Sequence, residues 1–298
     1  MRQFMIGTDW WDDCDDAVAL RVLARAHKEN EIQIAGIAIN ACMEQSVSSL
    51  SGFLTAESVG DIPIGLDREA TDYTGRLTYQ SRLSQLEKRL HSNDEAADAV
   101  KLYRKVLSES AEPIEVLEIG FLQAVAQLLE SRTDEISPLS GMELVAQKVK
   151  KFWVMAGRWD VEHGKENNFA RNERARNGAH IFCEKCPVPV TFLGWEVGND
   201  VITGSKLAED DILYKVLSDH GSAAGRKSWD PMLAVLAIIG NEKVAGYQTV
   251  HGKASVNAES GINRFVPDNG GPHAFVVIEK ENAFYANMID ERIQSVLR

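Results

Sequence analysis

Five aspartates lie close together near the start of the chain, in the segment TDWWDDCDDAVAL that begins at Thr8. They are Asp9, Asp12, Asp13, Asp15 and Asp16. Capping and the helix macrodipole stabilise one or two acids in the first turn of a helix, which accounts for Asp15 and Asp16 but not for Asp9. Carboxylates that converge from a strand end and a helix start are the hard oxygen ligands that Ca²⁺ or Mg²⁺ requires, and the cation offsets their repulsion. The segment therefore favours a divalent metal site over a solvated acidic turn.

Two familiar aspartate motifs do not fit this spacing. An EF-hand loop that begins at Asp9 would need Gly at its sixth place and Glu at its twelfth, where Cys14 and Leu20 stand. An aspartyl-phosphate phosphatase would need a second Asp two residues after the nucleophile, but Trp11 follows Asp9 at that interval. The acid segment therefore belongs to neither class.

Short apolar runs alternate with amphipathic helical patterns, and these elements must position the acids. The predicted strands are Phe4–Ile6, Ile32–Ile39, Ile62–Ile64, Ile114–Ile119, Lys151–Met155 and Val188–Leu193. Helical periodicity is clearest at Asp16–Lys28, Gln123–Glu130 and Asp230–Ile239. Strand and helix in alternation predict an α/β fold with a mostly parallel central sheet flanked by helices. Because ligands bind at the carboxyl ends of such strands, the acids after the first strand lie at the binding edge.

The rest of the chain predicts a helical insertion and a change of pattern near the end. Residues 67–112 are polar and helical with few strand signals, which favours a mobile lid or an all-helical insertion. After Ala245, short strands are predicted at Tyr247–His251, Ala254–Val256 and Ala274–Glu279, and a last helix at Glu281–Leu297. Since no repeat or linker interrupts the chain, we expect a single domain over residues 1–298 with a C-terminal hairpin appendage.

The composition excludes several classes of protein. The 298 residues carry a formal net charge of −12, and no basic patch is present that could release counterions from a nucleic acid. No segment approaches the roughly 20 apolar residues of a membrane span, and the N-terminus lacks the apolar stretch of a signal peptide. We therefore expect a cytoplasmic protein with no nucleic-acid or membrane partner. The pair Cys183 and Cys186 lacks a second pair or nearby His at zinc-site spacing, so we expect thiols of no special role.

The acid segment and several later landmarks together resemble the inosine-uridine-preferring nucleoside hydrolase family. Its members open with a strand, an Asp-rich turn that ends Asp-Asp-Ala, and an apolar helix, which Asp9, Asp15 and Asp16 match. Asn40 follows the second strand where the family has an Asn that reaches the ribose, and Ile119 precedes Gly120 where the family's backbone carbonyl binds calcium.

Two more landmarks lie in the second half of the chain. The segment Lys165-Glu166-Asn167-Asn168-Phe169 is similar to the family's Glu-x-Asn signature, which grips the 5′-hydroxyl side of the ribose. Ser228-Trp229-Asp230-Pro231 is similar to the family's His-Asp-Pro segment, in which the Asp is a calcium ligand at a helix start. Trp229 stands where many members have a His that protonates the leaving base. In the purine-preferring branch a Trp at this place stacks on the purine.

The resemblance implies a Rossmann-like nucleoside hydrolase fold and calcium-dependent cleavage of the N-glycosidic bond of ribonucleosides, with a purine preference. It implies that Asp9, Asp16, Asp230 and the Ile119 carbonyl hold Ca²⁺, and that Asp9 is the catalytic base. The substrate-binding residues that it implies are Asp15, Asn40, Glu166, Asn168 and Trp229. Family members are commonly dimers or tetramers, so we expect a homodimer or homotetramer that binds a small-molecule nucleoside. His220, in a Gly/Ser-rich loop, is the histidine to test first as a leaving-group acid.

Two other functions stay open. A Mg²⁺-dependent phosphohydrolase also uses acid-rich strand ends, but it needs Lys or Arg near the phosphate, and only Arg158, Arg171 and Arg226 lie near the landmarks. A nucleoside- or sugar-binding protein without turnover is the second alternative. It is suggested by departures from the commoner family pattern at Ile39, Gln123-Ala124, Asn172 and Trp229.

Overall fold

Strands and helices alternate along most of the computed structural model, which describes residues 1–73 and 75–294. The strands are β1 (Arg2–Thr8), β2 (Ile32–Ile39), β3 (Ile64–Leu66), β4 (Ala97–Asp98), β5 (Ile114–Glu118), β6 (Val149–Met155), β7 (Gly164–Lys165), β8 (Val190–Leu193), β9 (Ile202–Thr203), β10 (Arg226–Lys227), β11 (Tyr247–Val256), β12 (Ile262–Pro267) and β13 (His273–Ile278). The helices are α1 (Asp15–Lys28), α2 (Ser46–Ala56), α3 (Gln80–Leu83), α4 (Ala99–Glu109), α5 (Gln123–Glu130), α6 (Gly141–Lys148), α7 (Asn167–Ala170), α8 (Glu173–Lys185), α9 (Trp195–Gly198), α10 (Ile212–His220), α11 (Trp229–Ile239) and α12 (Asn282–Ile293).

Eleven of these strands form one sheet in the order β4-β3-β2-β1-β5-β6-β8-β13-β11-β12-β7. Neighbouring strands from β4 to β13 in this order are parallel, and the last three pairs are antiparallel. The predicted α/β fold with a mostly parallel sheet flanked by helices is therefore confirmed. Strands β9 and β10 form a separate two-stranded ribbon.

Helices cover both faces of the sheet, and each face has its own apolar core. On one face α1 packs against α11 and α12, and on the other α4, α5, α6 and α8 pack together. The central strands β1 and β2 are buried over most of their length, as is typical of parallel strands covered on both faces. This arrangement leaves the two ends of the sheet as the places where a ligand can bind.

Local sequence explains the two helices that matter most for the site. Helix α1 has Asp15 and Asp16 in its first turn and Arg25 among the basic residues of its last turn, which complements the helix macrodipole. Helix α11 carries Pro231 in its first turn, where a missing N–H is tolerated, and ends at Gly240 in the left-handed conformation with φ 69°. The starts of both helices lie at the acid segment, since the Asp230 backbone N–H donates to Asp15 Oδ2 at 3.3 Å.

The later part of the chain differs in detail from its predictions. Tyr247–His251 and Ala254–Val256 belong to one continuous strand, β11, and the C-terminal hairpin joins the central sheet because β13 pairs with β8. Residues 67–112 are not all helical, since they contribute the edge strand β4 and the helix α4 that packs on β2 and β3. The last predicted helix is present as α12, and its predicted end at residues 295–297 lies outside the described residues. Among the described helices, none has the length and apolarity needed to cross a membrane.

Candidate active site

Three neighbouring parallel strands end at the same level and deliver the first set of site residues. Thr8 at the end of β1 lies opposite Ile39 of β2, and Gly7 lies opposite Glu118 of β5. Asp9, Asn40 and Ile119, which directly follow these strands, therefore meet at the carboxyl edge of the sheet. Gly120 allows this close approach, because a Cβ there would overlap the backbone nitrogen of Asp9 and crowd Asn40 Oδ1.

The two tryptophans of the acid segment have different surroundings. Trp10 adopts a positive φ of 44°, and its buried indole donates a hydrogen bond from Nε1 to Ser49 Oγ at 2.8 Å and packs on Tyr79. Trp11 lines the cavity above the acids and contacts Tyr73 and Phe121. Trp10 therefore anchors the turn in the core, and Trp11 is a wall of the site.

Four buried carboxyl groups converge at this edge. Asp9, Asp15, Asp16 and Asp230 are 7%, 4%, 2% and 4% exposed. Carboxylate oxygens of Asp15, Asp16 and Asp230 lie within 4.8 Å of one another, and Asp9 is hydrogen-bonded to Asp16. Asp230 comes from the start of α11, 215 residues after Asp15, and its backbone N–H donates to Asp15 Oδ2 at 3.3 Å. The resemblance to the nucleoside hydrolase family implied this convergence of acids from distant segments.

Further hydrogen bonds orient the carboxylates without neutralising them. Asp16 accepts from the Thr8 hydroxyl and from the Trp10 backbone N–H, and Asp9 accepts from the Trp11 backbone N–H at 3.3 Å. Burial raises the pKa of Asp9, Asp15 and Asp230 well above the ordinary value, and repulsion from neighbouring carboxylates raises it further. Burial also raises the pKa of Asp16 to about 7. These acids therefore strongly disfavour being ionised together unless a cation is near.

The donor set fits a hard divalent cation. All of the converging side-chain atoms are carboxylate oxygens, which are the ligands of Ca²⁺ and Mg²⁺ and not those of a thiophilic metal. Buried carboxylates are stable when they are paired or coordinate a metal, and here they lie against one another. The cluster could therefore bind a metal ion.

The cluster lies at a cavity of about 190 Å³ that is partly open to solvent. Its lining residues are Asp9, Trp11, Asp12, Asp13, Asp15, Asp16, Ile119, Met155, Glu166, Asn167, Asn168, Trp195, Trp229 and Asp230. Trp229 and Trp195 lie side by side, with ring centroids 6.5 Å apart and an interplanar angle of 31°. The Trp229 indole N–H donates to the Trp195 carbonyl at 2.7 Å, which fixes the pair as an aromatic wall.

Glu166 and Asn168 form a polar part of the cavity lining, and each is held by hydrogen bonds. Glu166 caps the short helix α7 and accepts backbone N–H groups from Gly157 at 3.0 Å and Asn168 at 2.8 Å. The Asn168 amide donates to the Met155 carbonyl at 2.9 Å. Burial raises the pKa of Glu166 to about 7, although the two backbone N–H groups work against this rise.

Not every predicted residue lines the cavity. Asn40 is fully buried behind it, where Oδ1 accepts the Phe121 backbone N–H at 3.0 Å and Nδ2 has no partner among the described residues. Ile119 does line the cavity, next to the acids. His220 lies outside the lining residues, with Nδ1 bonded to Ser222 Oγ at 2.9 Å and Nε2 3.9 Å from Asp13. Its imidazole is therefore not in a position to touch a molecule on the cavity floor.

The remaining acids of the segment are partly exposed, and Asp13 has a definite partner. The Arg226 guanidinium binds Asp13 through Nε at 2.8 Å and through a second nitrogen to the other carboxylate oxygen. Burial acts to raise the pKa of Asp13, but the hydrogen bond and charge of Arg226 outweigh it and lower the pKa. Asp12 lines the rim of the cavity, half-buried.

Sequence reasoning missed Trp195, Met155 and Asn167 as cavity-lining residues. A usable signal was available for two of them. Met155 is the last residue of β6, and Trp195 follows the end of β8 after a single glycine, so both stand at carboxyl ends of predicted parallel strands.

Comparison of the sequence with protein-family models finds no match, and none is found among curated proteins. Solved structures are similar over nearly the whole chain. A plant nucleoside hydrolase has a TM-score of 0.74 at 16% identity over 99% of each chain. A purine-preferring ribonucleoside hydrolase from Gardnerella vaginalis has a TM-score of 0.72 at 15% identity over 98% of each chain. An inosine-uridine preferring nucleoside hydrolase from Bacillus anthracis has a TM-score of 0.66 at 16% identity, over 98% of this chain and 100% of the other.

Identities this low establish a shared fold. The chain has the fold of the nucleoside hydrolases, as the resemblance of its landmarks implied. What the chain does with that fold has to be argued from its own residues.

Proposed function

We propose that this chain hydrolyses the N-glycosidic bond of ribonucleosides, releasing ribose and a free base, with Ca²⁺ as its cofactor and a preference for purines. One observation carries the proposal: the buried carboxylates Asp9, Asp15, Asp16 and Asp230 meet on the floor of a cavity walled by tryptophans and by Glu166. Such a cavity has a cation site for a sugar diol, polar groups for the rest of the pentose and an aromatic surface for a base. The nucleoside hydrolases of the same fold support this assignment.

In this proposal Asp9, Asp16, Asp230 and the Ile119 carbonyl hold the cation, and Asp15 binds a ribose hydroxyl. Ca²⁺ accepts six to eight oxygen ligands in flexible geometry, which suits a crowded carboxylate cluster better than the strict octahedron of Mg²⁺. When bound, the cation would supply the positive charge that binds the vicinal hydroxyls of the pentose and makes a nearby water more acidic. The proximity of the Asp16 and Asp230 carboxylates supports these two as ligands, and the hydrogen bond between Asp9 and Asp16 supports Asp9 as a third.

The reaction passes through a ribosyl oxocarbenium ion, so water must attack C1′ as the C–N bond breaks. Asp9 is the proposed general base and takes a proton from that water. Its buried position and its hydrogen bond from the Trp11 backbone hold the carboxylate in one orientation. A positioned carboxylate base is needed because calcium acidifies water less than zinc does.

Glu166 and Asn168 are proposed to bind the 5′-hydroxyl side of the ribose. Their own hydrogen bonds to Gly157 and Met155 pre-organise them, so little entropy is lost when the sugar binds. Asn40, behind the cavity lining, is proposed to bind the sugar as well, because its buried Nδ2 donor has no partner among the described residues.

The Trp229 and Trp195 wall is the proposed base site. Stacking of a base on an aromatic side chain contributes about 1–3 kcal/mol, and a purine offers the larger face. No histidine is among the residues that line the described cavity, so stacking takes the place that a His has in many family members.

The decisive experiment offers the purified full chain inosine, adenosine, uridine and cytidine, and measures release of reducing sugar and of free base. We expect release of both products, faster from the purines, that is abolished by chelator and restored by Ca²⁺ more than by Mg²⁺. Asp9→Ala should fold and bind nucleoside but lose turnover, by about 10²-fold or more if Asp9 is the base.

Two outcomes would contradict the proposal. Nucleoside binding without any base release by the wild-type chain would instead favour the binding protein without turnover. Release of phosphate from nucleotides in the presence of Mg²⁺, with intact nucleosides left over, would favour the phosphohydrolase. Assembly as a homodimer or homotetramer and a cytoplasmic location stay predictions.

A further inference from the structure

An ion pair links the acid segment to the stretch of chain that leads into α11. Arg226 and Asp13 are 213 residues apart in sequence, and the guanidinium binds both carboxylate oxygens. Their side chains are 26% and 32% exposed. A bidentate ion pair of this kind fixes the orientation of the two side chains as well as the distance between them.

Asp13 is a rigid anchor. Its Oδ1 accepts the backbone N–H of Cys14 at 2.7 Å, and its backbone carbonyl accepts the Tyr79 hydroxyl at 2.8 Å. Tyr79 is itself buried against Trp10 in the core. The carboxylate that Arg226 binds is therefore held by the main body of the fold.

The segment that carries Arg226 lies outside the large sheet. Strand β10 pairs with β9 in a two-stranded ribbon that lies outside the large sheet. The turn before it contains Gly221 and Gly225, both with positive φ, at 92° and 108°. Four residues after Arg226 comes Asp230, whose backbone N–H bonds Asp15 at 3.3 Å. The ladder of the large sheet does not fix where the start of α11 stands relative to the acid turn, so its position depends on the packing of α11 on α1 and on local contacts such as the Asp13–Arg226 pair.

We propose that Asp13 and Arg226 are positioning residues for the cation site, which set the distance between Asp230 on α11 and the carboxylates of Asp15 and Asp16 on α1. This inference rests on the proposed function for the identity of the cation. The pair touches neither cation nor substrate in this role, and acts through Asp230. Because Arg226 also lies 5.5 Å from the centre of the Trp229 ring, the same pair supports the aromatic wall.

Positioning and simple electrostatics predict opposite results for one substitution. Arg226→Gln removes a positive charge close to a cation site, so Coulomb's law alone predicts tighter Ca²⁺ binding. Loss of position predicts weaker binding. The double variant Asp13→Asn/Arg226→Gln removes one charge of each sign, so it loses the bidentate ion pair while its net charge equals that of the wild type.

The test is calorimetric titration of the metal-free full chain with Ca²⁺, with thermal unfolding in chelator as the measure of stability. We expect Ca²⁺ binding to weaken about 10- to 100-fold in the double variant, the usual effect of removing a partner that orients a metal ligand. Arg226→Lys keeps the positive charge but cannot bind both carboxylate oxygens of Asp13, so it should weaken Ca²⁺ binding less than the double variant does. The matched control is Asp219→Asn/Arg82→Gln, which removes an equally bidentate pair on the protein surface and should leave Ca²⁺ affinity unchanged.

Unchanged or tighter Ca²⁺ binding by the double variant and by Arg226→Lys would overturn the inference, even if both variants unfold at lower temperature. A wild-type chain that binds Ca²⁺ but releases no base would contradict the proposed hydrolysis, while the comparison of affinities would still decide on the positioning role. A wild-type chain that binds no Ca²⁺ would overturn this inference together with the proposed cofactor.

Discussion

Stabilisation by Ca²⁺ should grow steeply as the pH rises from about 5 to about 8, because of the buried acids. Burial raises the pKa of Asp16 to about 7, whereas in the unfolded chain it has its ordinary value of 3.8. The folded, metal-free protein therefore holds the Asp16 proton more tightly than the unfolded chain. Its stability is highest below the unfolded pKa and falls as the pH rises toward about 7. A bound cation favours the ionised carboxylates, so it offsets this loss at high pH and binds weakly at low pH.

The size of the effect follows from the two pKa values. The folded and unfolded pKa values of Asp16 differ by about three. Because one pKa unit corresponds to about 1.4 kcal/mol, ionisation of Asp16 lowers the free energy of unfolding of the metal-free protein by about 4 kcal/mol above pH 7. Asp9, Asp15 and Asp230 act in the same direction. Ca²⁺ at about a thousandfold excess over its dissociation constant raises the free energy of unfolding by about 4 kcal/mol. For a chain of this size the unfolding entropy is about 0.6 kcal/mol/K, so we expect the melting temperature to rise by about 6 °C.

The assay is thermal unfolding of the full chain in chelator and in Ca²⁺ at a series of pH values. Glu118 and Glu166 are also buried with raised pKa values, at about 8 and about 7, but they are not among the proposed cation ligands. The informative quantity is therefore the difference between the melting temperatures with and without Ca²⁺. Asp16→Asn should lose most of this difference, and Asp94→Asn, at an exposed position, should keep it. A difference that is the same at every pH would refute the reasoning.

Four substitutions test the residues in and beside the cavity. Trp195→Leu and Trp229→Leu should each lower kcat/KM for inosine about tenfold, and by less for uridine, because a stacking surface is lost. Equal losses on both nucleosides would contradict a base site at these rings. Glu166→Gln should raise KM for inosine about tenfold through loss of a charged hydrogen bond, with little effect on 5′-deoxyinosine. Loss of a general acid lowers kcat about 10²-fold. Because the His220 ring does not line the cavity, we expect no such fall in His220→Ala. A fall of that size would make His220 the leaving-group acid after all.

Much of the fold was predictable because its main strands and helices carry their own patterns. The bounds of β2 and α5 agree with prediction at both ends, and α1 and α11 differ by one residue at their starts. The two-residue strands β4, β7, β9 and β10 could not be predicted, since they are too short to have a periodicity. They are strands only because a neighbouring strand presents free backbone groups to them.

The floor of the site was more predictable than its walls. Repulsion among Asp9, Asp15 and Asp16 is visible within a short segment, so a cation site follows from the local sequence. Asp230 could be added only through resemblance, since nothing in its own surroundings relates it to residues more than 200 positions earlier. Trp195 was missed because an isolated tryptophan after a strand is more often part of a core.

Tertiary contacts also explain why Arg226 had no assigned role from sequence. The buried carboxylates repel one another when they are ionised, so other contacts must hold them together. Packing of α1 on α11 supplies one such contact, and the anchored indole of Trp10 supplies another. Arg226 lies on a ribbon outside the sheet, and only the folded chain brings it to Asp13. The sequence can therefore reveal where like-charged side chains are crowded together. The contacts that hold those side chains in place depend on tertiary structure.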